Sequence, residues 1–239
     1  MNITNRILLK LRIEKRFLLE QKWGIKKPAD PFSISKSILK KYLPKSPVII
    51  DCGAHIGADS IELAKIFPKG KIHSFEPVPS VYKQLRSNSK NQSNIFCYKV
   101  ALSNTNGIAR MFVSNGSSDA SSSLLAPTAH LTDHPDVYFD YNIEVQTQTL
   151  DTWATKNNIE KVDFLWLDMQ GFELRMLQAS NRILSTVKAI HTEVSTRETY
   201  ENAVLYNDFR KWLEVQGFKV IAEAIPEGTD MGNVLFVRV

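Results

Sequence analysis

Along the chain, short apolar runs rich in β-branched and aromatic residues alternate with longer amphipathic stretches. Val48-Ile49-Ile50, after Pro47, is such a run and reads as a buried parallel strand. The same reading gives strands over Val48–Asp51, Lys71–Phe75, Ile95–Val100, Asp163–Asp168, Val187–Glu193, Phe218–Glu223 and Val234–Arg238. Between them, helical periodicity predicts Ala58–Phe67, Ser80–Asn91, Glu173–Ala179 and Ala203–Gln216. Strand alternating with helix is the pattern of a parallel sheet covered on both faces, an α/β fold. The last two strands are joined only by Ile225-Pro226-Glu227-Gly228-Thr229-Asp230, too short for a crossover helix, so the final strand is expected to run antiparallel.

Two regions depart from this rhythm. Residues 103–149 interrupt it: Ala109–Val113 and Asn142–Thr149 read as paired edge strands flanking a loop, Ser114 to Tyr141, rich in Ser, Asp, His and Pro. A connection of that length is expected to act as a lid or to select the acceptor, unless its serines are simply solvated. At the other end, residues 3–19 place Ile3, Ile7, Leu11 and Leu18 on one side of a helix, with Arg6, Lys10, Arg12, Lys15 and Arg16 mostly elsewhere. Such a basic amphipathic helix either packs its apolar stripe on its own domain or a second subunit, the commoner use, or lies on an anionic membrane surface. A break at Lys26–Pro31 and a second short helix over Ser33–Tyr42 follow. The organisation expected is a basic helical arm over 1–45 and one α/β domain over 46–239.

The chemistry starts at the first strand. Asp51 ends it, and Gly53 and Gly57 let the backbone turn sharply into the next helix, leaving room for a ligand. The second strand ends in Glu76-Pro77, which sets a carboxylate where a ribose diol can be hydrogen-bonded. A dinucleotide fingerprint would have a glycine where His55 stands. Asp51 at the mouth of the loop would repel a pyrophosphate and attract the ammonium of an amino acid. S-adenosylmethionine has that ammonium and a ribose, and no phosphate.

Ligands of open α/β sheets bind outside the carboxyl ends of the strands. Those ends are Asp51, Glu76, Ala101, Asp168 and Glu193, four of the five acidic. Such a rim suits a cationic sulfonium and leaves a carboxylate to take an acceptor proton. In Leu167-Asp168-Met169-Gln170-Gly171-Phe172-Glu173, Asp168 ends a buried strand and Glu173 opens a helix, either as a functional acid or as an ordinary N-terminal helix acid. His191 and Glu193 share one face of their strand and so one proton-accepting role. Glu193 assisted by His191 is the first choice of base, Asp168 the second. Mg²⁺ on Asp168, Glu173 and Asn233 is a lesser alternative.

Composition narrows the picture. At 239 residues, no apolar run reaches the ~20 needed to span a bilayer, and no signal-peptide pattern opens the chain, so a cytoplasmic location is expected. Cys52 and Cys97 fall on core strands and act as small hydrophobes, and the five histidines lack zinc-ligand spacing. His130 and His134 are four apart, but Pro135 and the absence of helical signals argue against a metal pair. The net charge is +5, yet residues 1–45 hold twelve Lys and Arg against Glu14, Glu20 and Asp30, so the arm is strongly basic and the rest net acidic. The domain itself is therefore not expected to bind nucleic acid.

With these residues in view, the chain resembles the FkbM-type methyltransferases. The resemblance is carried by the DxGAxxG core of Val48–Gly57, Phe75-Glu76-Pro77, Ala101-Leu102-Ser103-Asn104, the serine-rich Ser117–Leu125, Thr149-Leu150-Asp151, Leu167–Glu173, Glu193 and Gly232-Asn233, and covers about 46–239. It implies a class I (Rossmann-like) sheet and S-adenosylmethionine-dependent methylation of a hydroxyl on a sugar, glycan or natural product. By resemblance, Asp51, Gly53, His55, Gly57, Glu76 and Asp168 are cofactor contacts, to which the strand end Ala101 is added, and Glu173 and Glu193 face the acceptor. The candidate catalytic set is thus Glu193, Asp168, Glu173 and His191. His55 departs from the asparagine usual in the family. An N-methyltransferase or nucleic-acid methyltransferase, and a non-catalytic scaffold, are the competing readings. The first of these is weakened because Asp168 is not followed by the Pro-Pro-aromatic signature of amino-methylases.

Overall fold

A computed structural model describes residues 30–239. The helix expected over 3–19, and with it the expected membrane or subunit contact of the arm, lies outside the described residues. Asp30 opens a tight turn, its Oδ1 accepting from the Phe32 N–H at 3.0 Å and its carbonyl from the Ser33 N–H at 2.9 Å. From Ile34 to Val239 the chain is one compact unit. That unit includes a 3₁₀ helix, Lys36–Lys41, which the sequence reading left with the arm. Leu39 and Leu43 bury themselves against the sheet.

The main sheet contains β1 (Val48–Cys52), β2 (Lys71–Phe75), β3 (Ile95–Tyr98), β7 (Phe164–Leu167), β8 (Ala189–Ser195), β9 (Phe218–Ala224) and β10 (Met231–Arg238), in the order β3-β2-β1-β7-β8-β10-β9. Neighbours from β3 to β8 are parallel, and β10 is antiparallel to both β8 and β9, as the short 225–230 connection requires. Both faces are covered at the centre of the sheet, which is why β1 and β7 are apolar at nearly every position. Ile50, Leu165, Leu167 and Ile190 face one core with Trp153, Leu177 and Phe209. Ile49, Ile72, Phe164 and Ala189 face the other with Leu39, Leu63 and Phe67.

The helices are α1 (Ala58–Ile66), α2 (Pro79–Ser89), α3 (His130–Asp133), α4 (Leu150–Lys156), α5 (Glu173–Gln178), α6 (Asn181–Leu184) and α7 (Tyr206–Val215). Helix α4 was missed because its signal is a cap rather than a long period: the Thr149 hydroxyl accepts the Thr152 N–H at 3.2 Å, and Leu150, Trp153 and Ala154 point inward. Helix α7 starts later than expected because Leu205 is still extended.

The main correction concerns 103–149. Here β4 (Ala101–Leu102), β5 (Gly107–Gly116) and β6 (Val137–Gln148) form a separate three-stranded sheet, order β4-β6-β5. The paired strands run well beyond the expected edges, and the connection shrinks to residues 117–136, which themselves contain α3. The extension was hidden because Ser114, Asn115 and Asp140 do not read as strand residues; a bulge between Val113 and Asn115 accommodates the extra residue.

Candidate active site

The β1 turn is built from backbone. The N–H groups of Gly53 and Ala54 both donate to the carbonyl of Phe75, at 3.1 and 2.9 Å, binding the turn to the end of β2. Gly53 has φ +77°, and a Cβ there would stand 1.9 Å from the carbonyl oxygen of Asp168. Only glycine lets β1 and β7 close up at this point. His55 follows at φ 47° and Gly57 caps α1 at φ 90°.

Glu76 completes the cradle. Its Oε2 accepts the His55 N–H at 3.1 Å and its Oε1 the Val78 N–H at 2.8 Å, so the carboxylate is fixed by two loops and still has lone pairs to offer. It is 6 % exposed, and burial raises its pKa to about 7, against those two hydrogen bonds. A cavity with about 580 Å³ of empty space, its open mouth included, lies over this floor. Gly53, His55, Glu76, Ala101 and Asp168 of the expected cofactor set line it. Met111, Leu124 and Phe172 supply an apolar wall, and Asp119 and Ser122 bring the 117–136 segment over it. An apolar slot for a base beside a fixed carboxylate for a diol suits a nucleoside, and a nearby acidic cluster suits a cation.

Asp51, expected at the mouth of the loop, lies beneath it. It is 1 % exposed, Ser60 of α1 donates to its Oδ2, and Ser60 in turn is 2.6 Å from the Ser74 hydroxyl. Burial raises its pKa to about 8, and the carboxyl sits among Ser60 of α1 and Ser74 of β2 rather than in the lining of the cavity. Gly57 meets Leu85 rather than the cavity, and its part is to start α1.

The other half of the rim is assembled from side chains. The Gln170 amide Nε2 donates to Asp168 Oδ1 at 2.7 Å and to Glu193 Oε2 at 2.8 Å. Both carboxyls are held above their usual range, chiefly by burial; Asp168 and Glu173 add their charge against Glu193. The Tyr200 hydroxyl lies 3.0 Å from Gln170 Oε1 and 2.8 Å from the carbonyl of Ser121.

Two expected members of the catalytic set are turned elsewhere. Glu173 Oε1 accepts the Met169 N–H at 2.8 Å and the Gly171 N–H at 3.4 Å, closing its own turn, and burial raises its pKa to about 7. His191 lies flat on Trp166, ring centroids 3.6 Å apart and planes 5° from parallel. Burial lowers its pKa to about 3, and among the described residues no hydrogen bond joins it to Glu193, so the assisting role drawn from their shared face does not form. For Mg²⁺, no group of three or more His, Cys, Asp or Glu among the described residues is placed to hold a metal. The His130 and His134 rings are 4.8 Å apart without further ligands of that kind. Sequence reasoning missed Gln170, Tyr200, Asp119 and the apolar wall. Gln170 lay inside a quoted motif, whereas Tyr200 had no local signal.

The sheet order with its reversed last strand, the glycine turn and the acid after β2 define a class I methyltransferase. The chain belongs to the FkbM methyltransferase family, whose domain model, "Methyltransferase FkbM domain", matches residues 51–220. It is 31 % identical over 218 residues to 2-O-methyltransferase NoeI of Sinorhizobium fredii, covering 89 % of this chain and 88 % of that protein. It is also 25 % identical over 226 residues to the AMB antimetabolite synthetase AmbE of Pseudomonas aeruginosa, covering 82 % of this chain but 11 % of that longer protein. The solved structure of methyltransferase FkbM from Methylobacillus flagellatus superposes with a TM-score of 0.50 at 14 % identity, over 81 % of this chain and 44 % of that one, and shares the fold. The protein is thus an S-adenosylmethionine-dependent methyltransferase. The cavity fits that cofactor: a buried carboxylate, an apolar wall and a backbone turn open to close approach.

Proposed function

We propose that the protein methylates a hydroxyl of a sugar, glycan or natural-product metabolite, with Glu193 as the group that takes the proton. The observation that carries this is the half-buried carboxyl of Glu193, held through Gln170 beside cavity-lining Asp168. The likeness over nearly the whole chain to a protein named as a 2-O-methyltransferase supports oxygen as the acceptor atom.

When bound, S-adenosylmethionine supplies an electrophilic methyl group on a sulfonium. Glu76 would accept hydrogen bonds from the ribose diol, and Gly53, His55 and Ala101 would line the rest of its bed. Asp168 would sit between cofactor and acceptor. An alcohol is too weak an acid to ionise beforehand, so Glu193 removes its proton as the oxygen acquires the methyl group. Burial and the neighbouring acids make Glu193 a stronger base than an ordinary carboxylate. The segment over 117–136 would shield the site from water and help orient the acceptor.

The test is transfer from methyl-tritiated S-adenosylmethionine into a fractionated extract of saccharides and metabolites. Expected is label in an ether that survives mild alkali, with Glu193→Gln lowering turnover about 100-fold or more while cofactor still binds. Label in an amine, or in an alkali-labile ester, would overturn hydroxyl methylation. Undiminished turnover by Glu193→Gln would remove Glu193 from the role of base.

A further inference from the structure

Gln170 occupies the left-handed region at φ 52°, an unusual place for a side chain of this kind, directly before Gly171 at φ 94°. The strained turn aims its amide between two carboxyls that lie on neighbouring strands. Nε2 reaches both, at 2.7 and 2.8 Å, and Oε1 faces the Tyr200 hydroxyl at 3.0 Å. This amide orientation is the one the two carboxyls demand, because the flipped one would point a carbonyl oxygen at both of them. The residue is also held by its main chain: the Ser123 hydroxyl donates to the Gln170 carbonyl at 3.0 Å. Ser121 and Ser123 both belong to the serine-rich segment beyond β5. Gln170 therefore meets that segment once directly, at Ser123, and once through Tyr200, and meets the rim acids at two points.

We propose that Gln170 is a positioning residue that couples the serine-rich segment to the rim acids: Tyr200 and Ser123 hold Gln170, and Gln170 holds Glu193 and Asp168. Its consequence for turnover rests on the reading of Glu193 as base, but the coupling is a property of the free protein. Seating the segment orients the amide; the amide then donates to the ionised form of Glu193 and keeps that carboxylate beside Asp168. A loosened segment releases the amide and leaves Glu193 to bind its proton more tightly. The charged and titratable groups that face Glu193 are Asp168 at the end of β7 and Glu173 at the start of α5, with Tyr200 close by; Asp168 in turn feels Asp59 and His55.

The test needs no acceptor. The protein is labelled with ¹³C at Glu and Asp side-chain carboxyls, Glu193 and Asp168 are assigned through Glu193→Gln and Asp168→Asn, and their titration midpoints are followed by NMR. Gln170→Leu is expected to tighten proton binding at Glu193 about tenfold, and Tyr200→Phe, which touches neither carboxyl, about two- to threefold in the same direction. Gln170→Asn, too short to span the gap, serves if the leucine variant does not fold. The double variant should match the Gln170 variant alone, because the tyrosine acts only through the amide. An unmoved Glu193 midpoint in Tyr200→Phe, or additive shifts in the double variant, would overturn the coupling. Failure of Glu193 as base would show separately, as full methyl transfer by Glu193→Gln with these midpoint shifts intact.

Discussion

The two halves of the site are held by different means. Beneath the cofactor cavity, backbone does the positioning: the Gly53 and Ala54 N–H groups go to Phe75, the Asp168 N–H goes to Cys52 at 3.0 Å, and Glu76 is clasped by the His55 and Val78 N–H groups. At the other end of the rim, Asp168, Gln170, Glu193, Tyr200 and Ser121 come from four separate stretches and meet through side chains, apart from one carbonyl. A backbone cradle is insensitive to most side-chain changes, whereas a side-chain network can be re-aimed by single substitutions.

The sharpest way to break this contrast is Gly53→Ala. The new Cβ would fall 1.9 Å from the Asp168 carbonyl, which is backbone and cannot swing aside, and φ +77° adds strain. The variant should lose roughly 3 kcal/mol in denaturant unfolding and, by parting β1 from β7, lose measurable binding of S-adenosylhomocysteine in calorimetry. Near-normal stability and affinity would show that the floor yields, and that its backbone does not define the site.

That floor was legible in the sequence because its parts are neighbours in the chain. Asp51, Gly53 and Gly57 fall within one turn, and Glu76 follows the next strand, so spacing alone sets them at one rim. The strand ends Asp168 and Glu193 were placed by the same rule, since adjacent parallel strands bring their carboxyl ends together. The direction of each side chain was not legible. Asp51 stands one residue before the end of β1 and Glu76 one residue after the end of β2, and one is taken by Ser60 beneath the turn while the other is held by two loop N–H groups at the cavity. His191 and Glu193 share a face as expected, but the indole of Trp166 on the neighbouring strand claims the imidazole. Tyr200 reaches Gln170 only because the chain after β8 returns over the rim, a tertiary fact without a local pattern.

A second experiment sharpens the division within the floor itself. If Asp51 is structural, its effect should appear in stability and follow pH. Its pKa is raised by burial from 3.8 to about 8, so the folded state binds a proton the unfolded state has lost. Stability contributed by that proton is complete below pH 3.8 and declines as pH rises, until it is gone above about 8. Asp51→Asn has no such proton to lose. Relative to the wild type it should gain up to ~1.4 kcal/mol per pH unit across that window, read from thermal or denaturant unfolding at pH 5, 7 and 9. A stability difference flat in pH would mean that Asp51 is ionised when folded and faces the cofactor after all.

The smallest effect is expected where the two halves touch. His55 Nε2 lies 2.7 Å from Asp119 Oδ1, joining the backbone cradle to the serine-rich segment across the mouth of the cavity. Both side chains reach solvent, and an ion pair so placed is worth at most about 1 kcal/mol. His55 also holds φ 47°, a region in which asparagine is more at ease. In His55→Asn the lost contact and the relieved backbone therefore oppose each other, and the net change in unfolding free energy should stay within about 0.5 kcal/mol. The segment, released at this one point, should be cut faster by protease, by about two- to threefold, while Ser121 and Ser123 keep their hold on Tyr200 and Gln170. A large loss of cofactor affinity instead would mean that the imidazole, and not the backbone beneath it, forms part of the bed. The cradle would then depend on side chains in the same way as the rim around Gln170.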